Sequence, residues 1–163
     1  MSISNIWVFA QITDGAASSA TLELLTKANS LGGTVTAFVA GSAGDGAAAF
    51  ADHGAAKIYE TGDLAGALPG AAVSAAMKSV IDGGDSPDLV MFPQNYEGRD
   101  VMSRLSVKLD RTVLTNSTDV AVDGDSVSVI TPIFGGAKLV TSTFTGEAPH
   151  LAAFRPKSFE PAG

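Results

Sequence analysis

Asp88-Leu89-Val90-Met91-Phe92-Pro93, followed by Gln94-Asn95-Tyr96 and then by Glu97-Gly98-Arg99-Asp100-Val101-Met102-Ser103-Arg104-Leu105, is the most informative segment of the chain. The apolar run at its start is typical of a buried strand, and the part from Glu97 onwards has the spacing of an amphipathic helix. The helix carries Arg99 and Asp100 in its first turn, where unpaired backbone N–H groups favour anions. The segment therefore predicts a strand whose carboxyl end opens into a helix.

The same alternation of strand and helix continues on both sides of this segment. The predicted strands are residues 6–10, 34–40, 57–60, 89–92 and 112–114. The predicted helices cover roughly residues 18–31, an alanine-rich segment ending at Gly54, residues from Pro69 to the Gly83-Gly84 pair, and about 97–110. Five strands alternating with helices predict an α/β fold with a doubly wound, mostly parallel five-stranded sheet and helices on both faces.

The pattern changes after Ser117. Val120 and Val122 alternate with polar residues up to a turn at Asp123-Gly124, and the alternation resumes beyond it. A second hairpin is predicted at Gly135-Gly136, followed by a last strand over residues 150–154. We interpret this part as a C-terminal antiparallel hairpin extension of a single domain covering residues 1–156. Residues 157–163 are predicted to begin a linker.

Composition restricts the class of protein. With 163 residues, 45% of them hydrophobic, and no cysteine, the chain predicts one globular domain without disulfides or thiolate metal sites. A net charge of −7 with only 10 scattered Lys and Arg residues argues against nucleic-acid binding. The first residues lack the basic start and apolar run of a signal peptide, and no apolar run approaches the ~20 residues that span a bilayer. We therefore expect a cytoplasmic protein without membrane insertion.

The candidate ligand site lies where the strand order of such a sheet reverses. Ligands of open parallel sheets bind beyond the carboxyl ends of the strands at that point. The loop from Gln11 to Gly15 is expected to face the loop from Pro93 to Arg99 there. The predicted nucleotide pocket comprises Gln11, Asp14, Gly15, Gly98 and Arg99. Alternatively, Arg99 and Asp100 only cap a helix or brace an interface.

The other candidate features favour structural roles. Gly41-Ser42-Ala43-Gly44-Asp45-Gly46 does not match the dinucleotide fingerprint and predicts a plain turn. His53 and His150 have no partner at metal-ligand spacing. We predict no catalytic residue and no metal ligand, so the chain is not expected to be an enzyme.

Four blocks of sequence carry a family resemblance. They are residues 6–10, followed by Gln11; residues 88–93 with Gly98-Arg99-Asp100, Arg104-Leu105 and Leu109; Pro132-Ile133-Phe134-Gly135-Gly136-Ala137; and Phe154-Arg155-Pro156-Lys157-Ser158-Phe159. In this order and spacing the chain resembles the N-terminal domain of the alpha subunit of electron transfer flavoprotein, including the related subunit of nitrogen-fixing organisms. The first block departs from the family, which usually has Glu where Gln11 stands. Asn95-Tyr96-Glu97 is also bulkier and more polar than the family's small residues.

The resemblance implies an adenine nucleotide alpha hydrolase-like fold and a role in a heterodimeric electron carrier. In this family FAD is held mainly by a C-terminal domain of the alpha subunit, which is absent from this chain, and AMP lies in the partner beta subunit. The full heterodimer passes electrons from acyl-CoA dehydrogenases and related enzymes of fatty acid beta-oxidation to electron transfer flavoprotein–quinone oxidoreductase. The chain is then an assembly domain that packs on the beta subunit, with the antiparallel extension as the contact surface.

A second interpretation remains open. The chain could be a free-standing regulatory module that binds an adenine nucleotide between residues 11–15 and residues 93–99. In that case Arg99 would contribute to nucleotide affinity.

Overall fold

The computed structural model describes residues 3–162 and contains two main sheets and four α-helices. The strands are β1 Asn5–Ala10, β2 Ile12–Thr13, β3 Ala16–Ala17, β4 Thr34–Val39, β5 Lys57–Glu60, β6 Leu89–Pro93, β7 Val113–Ser117, β8 Asp119–Asp123, β9 Ser126–Ile133, β10 Lys138–Thr143 and β11 His150–Phe154. The helices are α1 Ser19–Ser30, α2 Gly46–Asp52, α3 Pro69–Asp82 and α4 Tyr96–Leu109, and a 3-10 turn covers Phe134–Gly136.

The larger sheet has six strands in the order β5-β4-β1-β6-β11-β7, and all five of its pairings are parallel. From β1 the chain runs outward to β4 and β5, then returns to β6 on the other side of β1. The strand order therefore reverses between β1 and β6. This confirms the predicted α/β class with a mostly parallel sheet.

The last strand corrects the sequence prediction. β11 does not belong to an antiparallel extension: it is inserted between β6 and β7, with Leu151 paired to Val90 on one side and to Val113 on the other. The parallel sheet consequently has six strands where five were predicted. All five residues of β11 are buried, as expected for a strand with neighbours on both edges and layers on both faces.

Two apolar clusters lie on opposite faces of this sheet. Alternate residues of β1 divide between them, with Ile6 and Val8 on one face and Trp7 and Phe9 on the other. This explains why the strand is continuously apolar. The first face is covered by α1, α2 and three valines of the smaller sheet, and the second face by α3 and α4.

The smaller sheet is antiparallel, in the order β10-β9-β8. The predicted turns near Gly124 and Gly135 connect its strands, so the two hairpins share β9 as their central strand. β8 and β9 turn Val120, Val127 and Val129 into the core. β10 forms an outer edge, and its Leu139 remains exposed.

The segment after β11 lies along α1. The Lys157 backbone N–H donates to the buried Glu23 carboxylate at 2.9 Å, and the Ala162 N–H donates to Thr26 Oγ1 at 3.1 Å. Phe159 packs against Phe154, with ring centroids 5.5 Å apart. Residues 157–162 are thus tied to the domain, while the domain boundary at residue 156 stays a prediction.

Candidate functional site

A cleft of about 180 Å³ lies at the point where the strand order reverses. It is bounded by the carboxyl ends of β1 and β4, the start of α3 and the first turn of α4, and its lining includes Gln11, Ile12, Leu64, Pro69 and Glu97. A pocket at this point is what the topology of an open parallel sheet predicts.

Gln11 connects the two loops that were predicted to face each other. Its amide nitrogen donates to Glu97 Oε2 at 2.6 Å, and its amide oxygen accepts from Asn95 Nδ2 at 2.7 Å. Both polar ends of the Gln11 amide are therefore satisfied within the protein. The Glu97 carboxylate also lines the cleft, where it repels a phosphate rather than attracting one.

Gly98 is needed for the approach of α4 to the sheet. A Cβ on this residue would collide with the backbone carbonyl oxygen of Pro93. The Gly98 N–H is occupied by the side chain of Asn95, which caps the helix at 2.9 Å. The residue thus has a structural function that the close packing of strand and helix explains.

The remaining predicted pocket residues point elsewhere. Asp14 and Gly15 form the exposed tip of the β2–β3 hairpin, both with positive φ. Arg99 is exposed, and its guanidinium stacks on the Tyr96 ring with its central carbon 5.2 Å from the centroid. The structure therefore brings Gln11 to the cleft but not the side chains of Asp14 and Arg99. The nucleotide-binding role of the five predicted residues stays a prediction.

Glu97, which lines the cleft, and Asn95, which binds the Gln11 amide beside it, were not among the predicted pocket residues. Their position in the sequence pointed to the cleft, because both lie within four residues of the end of the buried β6 strand. The glycine and the arginine of this segment fit phosphate binding better, and the prediction rested on them instead. Gln11 was predicted, but its two side-chain partners could not be deduced from local sequence.

The glycine-rich segment 41–46 forms a turn in which Glu60 binds two of the hydrogen-bond donors. Glu60 accepts from the Ala43 N–H at 2.7 Å and from the Ser42 hydroxyl at 3.3 Å. A carboxylate of the protein therefore occupies these donors. Among residues 3–162 there is also no group of three or more metal-ligating side chains, and no helix there has the length and apolarity to cross a membrane.

Two ion pairs with shifted pKa values join neighbouring elements away from the cleft. Hydrogen bonds from Lys57 and Tyr59 hold the pKa of Asp85 below its ordinary value, and the same contacts raise the pKa of Lys57. Burial acts to raise the pKa of Asp119, but hydrogen bonds from Lys27 and the Val120 N–H outweigh it and the pKa is lowered. Lys27 and Asp119 are 2.8 Å apart and connect α1 to the smaller sheet.

Comparison with known proteins gives consistent matches over nearly the whole chain. Residues 6–163 match the family described as "Electron transfer flavoprotein domain". The chain is 31% identical over 157 residues to "Electron transfer flavoprotein subunit alpha" of Syntrophomonas wolfei subsp. wolfei, covering 94% of this chain and 49% of that protein. It is 28% identical over 163 residues to "Protein FixB" of Clostridium saccharobutylicum, covering 95% and 48%. The chain thus spans about half the length of the curated relatives it matches.

Proposed function

This chain belongs to the electron transfer flavoprotein family, and we propose that it forms the N-terminal assembly domain of an alpha-type subunit. The observation that carries the proposal is the family match over residues 6–163, together with alpha-type relatives about twice as long. The domain then packs on a beta-type subunit and supports a flavin-binding part of the longer protein. The full heterodimer would pass electrons from acyl-CoA dehydrogenases and similar donors to a quinone oxidoreductase in the bacterial cytoplasm.

The size and chemistry of the cleft support a flavin site outside this domain. Ligand pockets for small molecules usually enclose about 300–1,000 Å³, whereas this cleft encloses about 180 Å³. Its polar lining is one amide and one carboxylate, neither of which suits a pyrophosphate. The residues that line the cleft therefore do not fit FAD, and the proposed role of this domain is assembly alone. AMP, if the heterodimer contains it, is assigned to the beta-type subunit.

The contact surface for the beta-type subunit is proposed on the smaller sheet. Phe134 and Leu139, at the β9–β10 end of that sheet, are 77% and 67% exposed. Val140 is also partly exposed on the same edge strand. Apolar side chains grouped on one edge are a common feature of protein interfaces. We name the three residues Phe134, Leu139 and Val140 the apolar edge.

Co-purification of the full-length subunits tests this proposal. The full-length alpha-type protein is co-expressed with the beta-type subunit, carrying either no change or Phe134→Ser together with Leu139→Ser. The unchanged pair is expected to purify as a yellow heterodimer with one flavin. The double variant is expected to dissociate at least about tenfold more readily, since interface residues that contribute strongly cost more than about 1 kcal/mol each when truncated.

Val107→Ser is the matched control, because Val107 is 82% exposed and lies on α4, away from the apolar edge. It should leave the heterodimer unchanged. Equal dissociation of both variants would reject the apolar edge as the interface. If the unchanged alpha-type protein purifies as a colourless monomer, the proposed function itself is rejected.

The cleft at the strand-order reversal retains one feature that favours the adenine-nucleotide module: its location matches that of ligand sites in open parallel sheets. Calorimetric titration of this chain with AMP and ATP separates the two functions. The assembly domain is expected to give no saturable heat with either nucleotide. Saturable binding that is weakened by Arg99→Ala would instead favour the nucleotide module.

A further inference from the structure

A second cavity, of about 290 Å³, lies at the amino ends of β7 and β11. It is enclosed by the turn between α4 and β7 and by the segment that connects β10 to β11. Its lining includes Arg111, Leu114, Thr143, Phe144, Glu147 and His150. An apolar wall with a few convergent polar groups is the usual composition of a small-molecule site. None of its lining residues belongs to the cleft or to the apolar edge.

Three hydrogen bonds to backbone carbonyls hold Arg111 in place, while the partner of its Nη2 can be replaced. Its Nε donates to the Ala148 carbonyl at 3.1 Å, and its Nη1 donates to the carbonyls of Leu109 and Asp110, each at 3.2 Å. Its Nη2 donates to the Glu147 carboxylate at 3.4 Å, and that side chain is 91% exposed. A long bond to an exposed carboxylate is weak. Nη2 can therefore exchange this partner for another carboxylate.

His150 is a mostly buried residue that lines this cavity. The residue is 7% exposed and its ring stacks on Phe144, with centroids 4.6 Å apart. Within residues 3–162 neither ring nitrogen of His150 is a fully buried atom without a hydrogen-bond partner, so an unpaired ring nitrogen is reached by solvent. Burial lowers the pKa of His150, Arg111 lowers it further, and Asp88 acts in the opposite direction. The lowered pKa favours the neutral ring, which offers one N–H donor.

We propose that this cavity binds a small carboxylic acid with an apolar body. The ligand carboxylate replaces Glu147 on Arg111 Nη2, and the His150 N–H and the Thr143 hydroxyl are the further donors of the same lining. The body packs against Phe144 and Leu114. A carboxylate is favoured over other anions because the guanidinium already holds one at this position, and an apolar body is favoured by the aromatic and aliphatic wall.

The charges around the cavity set the expected strength of binding. Asp110 and Glu147 also line it, so the site is not strongly electropositive. Displacement of Glu147 moves one of these negative charges away, because its exposed side chain can rotate into solvent. Removal of that carboxylate should therefore strengthen ligand binding, which a merely structural role of Arg111 would not produce.

Nuclear magnetic resonance titration of the isotope-labelled 163-residue chain with benzoate at pH 7 tests the proposal. Saturable shifts are expected at the Arg111 Nε–H, the His150 ring and the Thr143 amide. Acetate, which lacks the apolar body, and inorganic phosphate are expected to bind at least about tenfold more weakly than benzoate, since the aromatic body removes apolar surface from water. Benzoate should also raise the pKa of His150, because a nearby anion favours the imidazolium.

Two variants are expected to change the affinity for benzoate in opposite directions. Glu147→Gln is expected to tighten benzoate binding about two- to fivefold, which corresponds to losing an exposed ion pair. Arg111→Gln is expected to weaken it at least about tenfold through loss of a charge-assisted hydrogen bond. Arg155→Gln, which makes the same change of charge beyond the carboxyl end of β11, is the control and should have no effect.

Unsaturable shifts with benzoate would overturn the proposal. So would phosphate binding as tight as benzoate binding, because the cavity would then accept any anion. If Arg111→Gln fails to fold, the Glu147→Gln result decides: unchanged or weaker benzoate binding overturns the assignment. The benzoate titration does not depend on subunit assembly, because it uses this chain alone and involves neither the apolar edge nor the flavin.

Discussion

At the scale of single residues, Gly98 shows why the connection between β6 and α4 has its sequence. The first turn of α4 lies so close to the end of β6 that a side chain at Gly98 would overlap the Pro93 carbonyl. Asp100 and Arg104, four residues apart on α4, then pair at 2.8 Å. The Gly-Arg-Asp sequence of the family resemblance thus has a packing reason, whatever it contributes to binding.

Gly98→Ala is expected to lower the free energy of unfolding by about 1–3 kcal/mol, the usual cost of overpacking. The helix preference of alanine offsets only part of this cost. Urea denaturation followed by circular dichroism measures the change. Gly146→Ala is the control, because nothing lies within 4 Å of the added Cβ and its φ is not positive. Equal stability of Gly98→Ala and the unchanged chain would refute the close approach.

His150 predicts a pH dependence of stability. Because burial lowers its pKa below the ordinary value of 6.5, the folded chain binds fewer protons there than the unfolded chain does. At pH values well above 6.5, His150 should therefore not affect the free energy of unfolding. This free energy should decrease as the pH falls through 6.5 towards the pKa of His150 in the folded chain, and level off below that pKa. The stability that the Lys57–Asp85 ion pair contributes is lost only at much lower pH, because the pKa of Asp85 is lowered from 3.8.

Urea denaturation at a series of pH values between about 8 and 5 measures this dependence. His150→Gln should remove the decrease in the free energy of unfolding that begins near the ordinary histidine pKa. If the variant and the unchanged chain show the same profile across this series, the histidine is not the group responsible.

At the scale of elements, the segment after β11 packs against α1 and β11. Its Phe159 ring packs against Phe154 and lies 5.4 Å from Lys27 Nζ, so one aromatic side chain joins the segment to both β11 and α1. The buried Glu23 carboxylate accepts its backbone N–H at Lys157. These contacts fix the course of residues 157–162 along α1, which a sequence containing Pro156 and Pro161 did not indicate.

Phe159→Ala is expected to lower the free energy of unfolding by about 1–2 kcal/mol, since the ring is partly rather than fully buried. Denaturant titration again measures the effect. Tyr96→Ala is the aromatic control, because Tyr96 is 86% exposed and its loss should change stability by less than about 0.5 kcal/mol. A Phe159→Ala variant as stable as this control would show that the segment is not held on α1.

At the scale of the whole molecule, the two sheets have different surroundings. The parallel sheet has layers on both faces, whereas the antiparallel sheet covers one of those faces and exposes its outer strand β10. The parallel sheet therefore supplies the rigid frame. The exposed strand supplies a surface on which another protein can pack.

Native-state hydrogen exchange should reflect this arrangement. Amides of β11 and β6 are expected to exchange only through global unfolding, because these strands are buried and paired on both edges. Amides on the unpaired edge of β10 should exchange at least about a hundredfold faster. Two-dimensional nuclear magnetic resonance spectra recorded after transfer into heavy water measure both rates. Comparable amide exchange rates for β10 and β11 would show that the outer strand is as stable as the parallel sheet, contrary to this prediction.

Local sequence patterns were enough to predict the main elements of this protein and the class of its fold. The strands and helices of the parallel sheet as far as α4 follow from patterns within a few residues of each other. The family resemblance also came from short blocks of sequence, and the family match confirmed it. Such patterns can be read from a sequence because helix and strand periods act over one or two turns.

The position of β11 and the set of groups that share the cleft depend on tertiary packing. Leu151–Phe154 is a continuous apolar run, and such a run suits a strand in either direction. Its pairing with β6 and β7 therefore depends on the packing of the whole sheet. The Gln11, Asn95 and Glu97 side chains meet although 84 and 86 positions of sequence separate the two bonded pairs. Contacts of this kind depend on how the layers pack, and local sequence does not specify that packing directly.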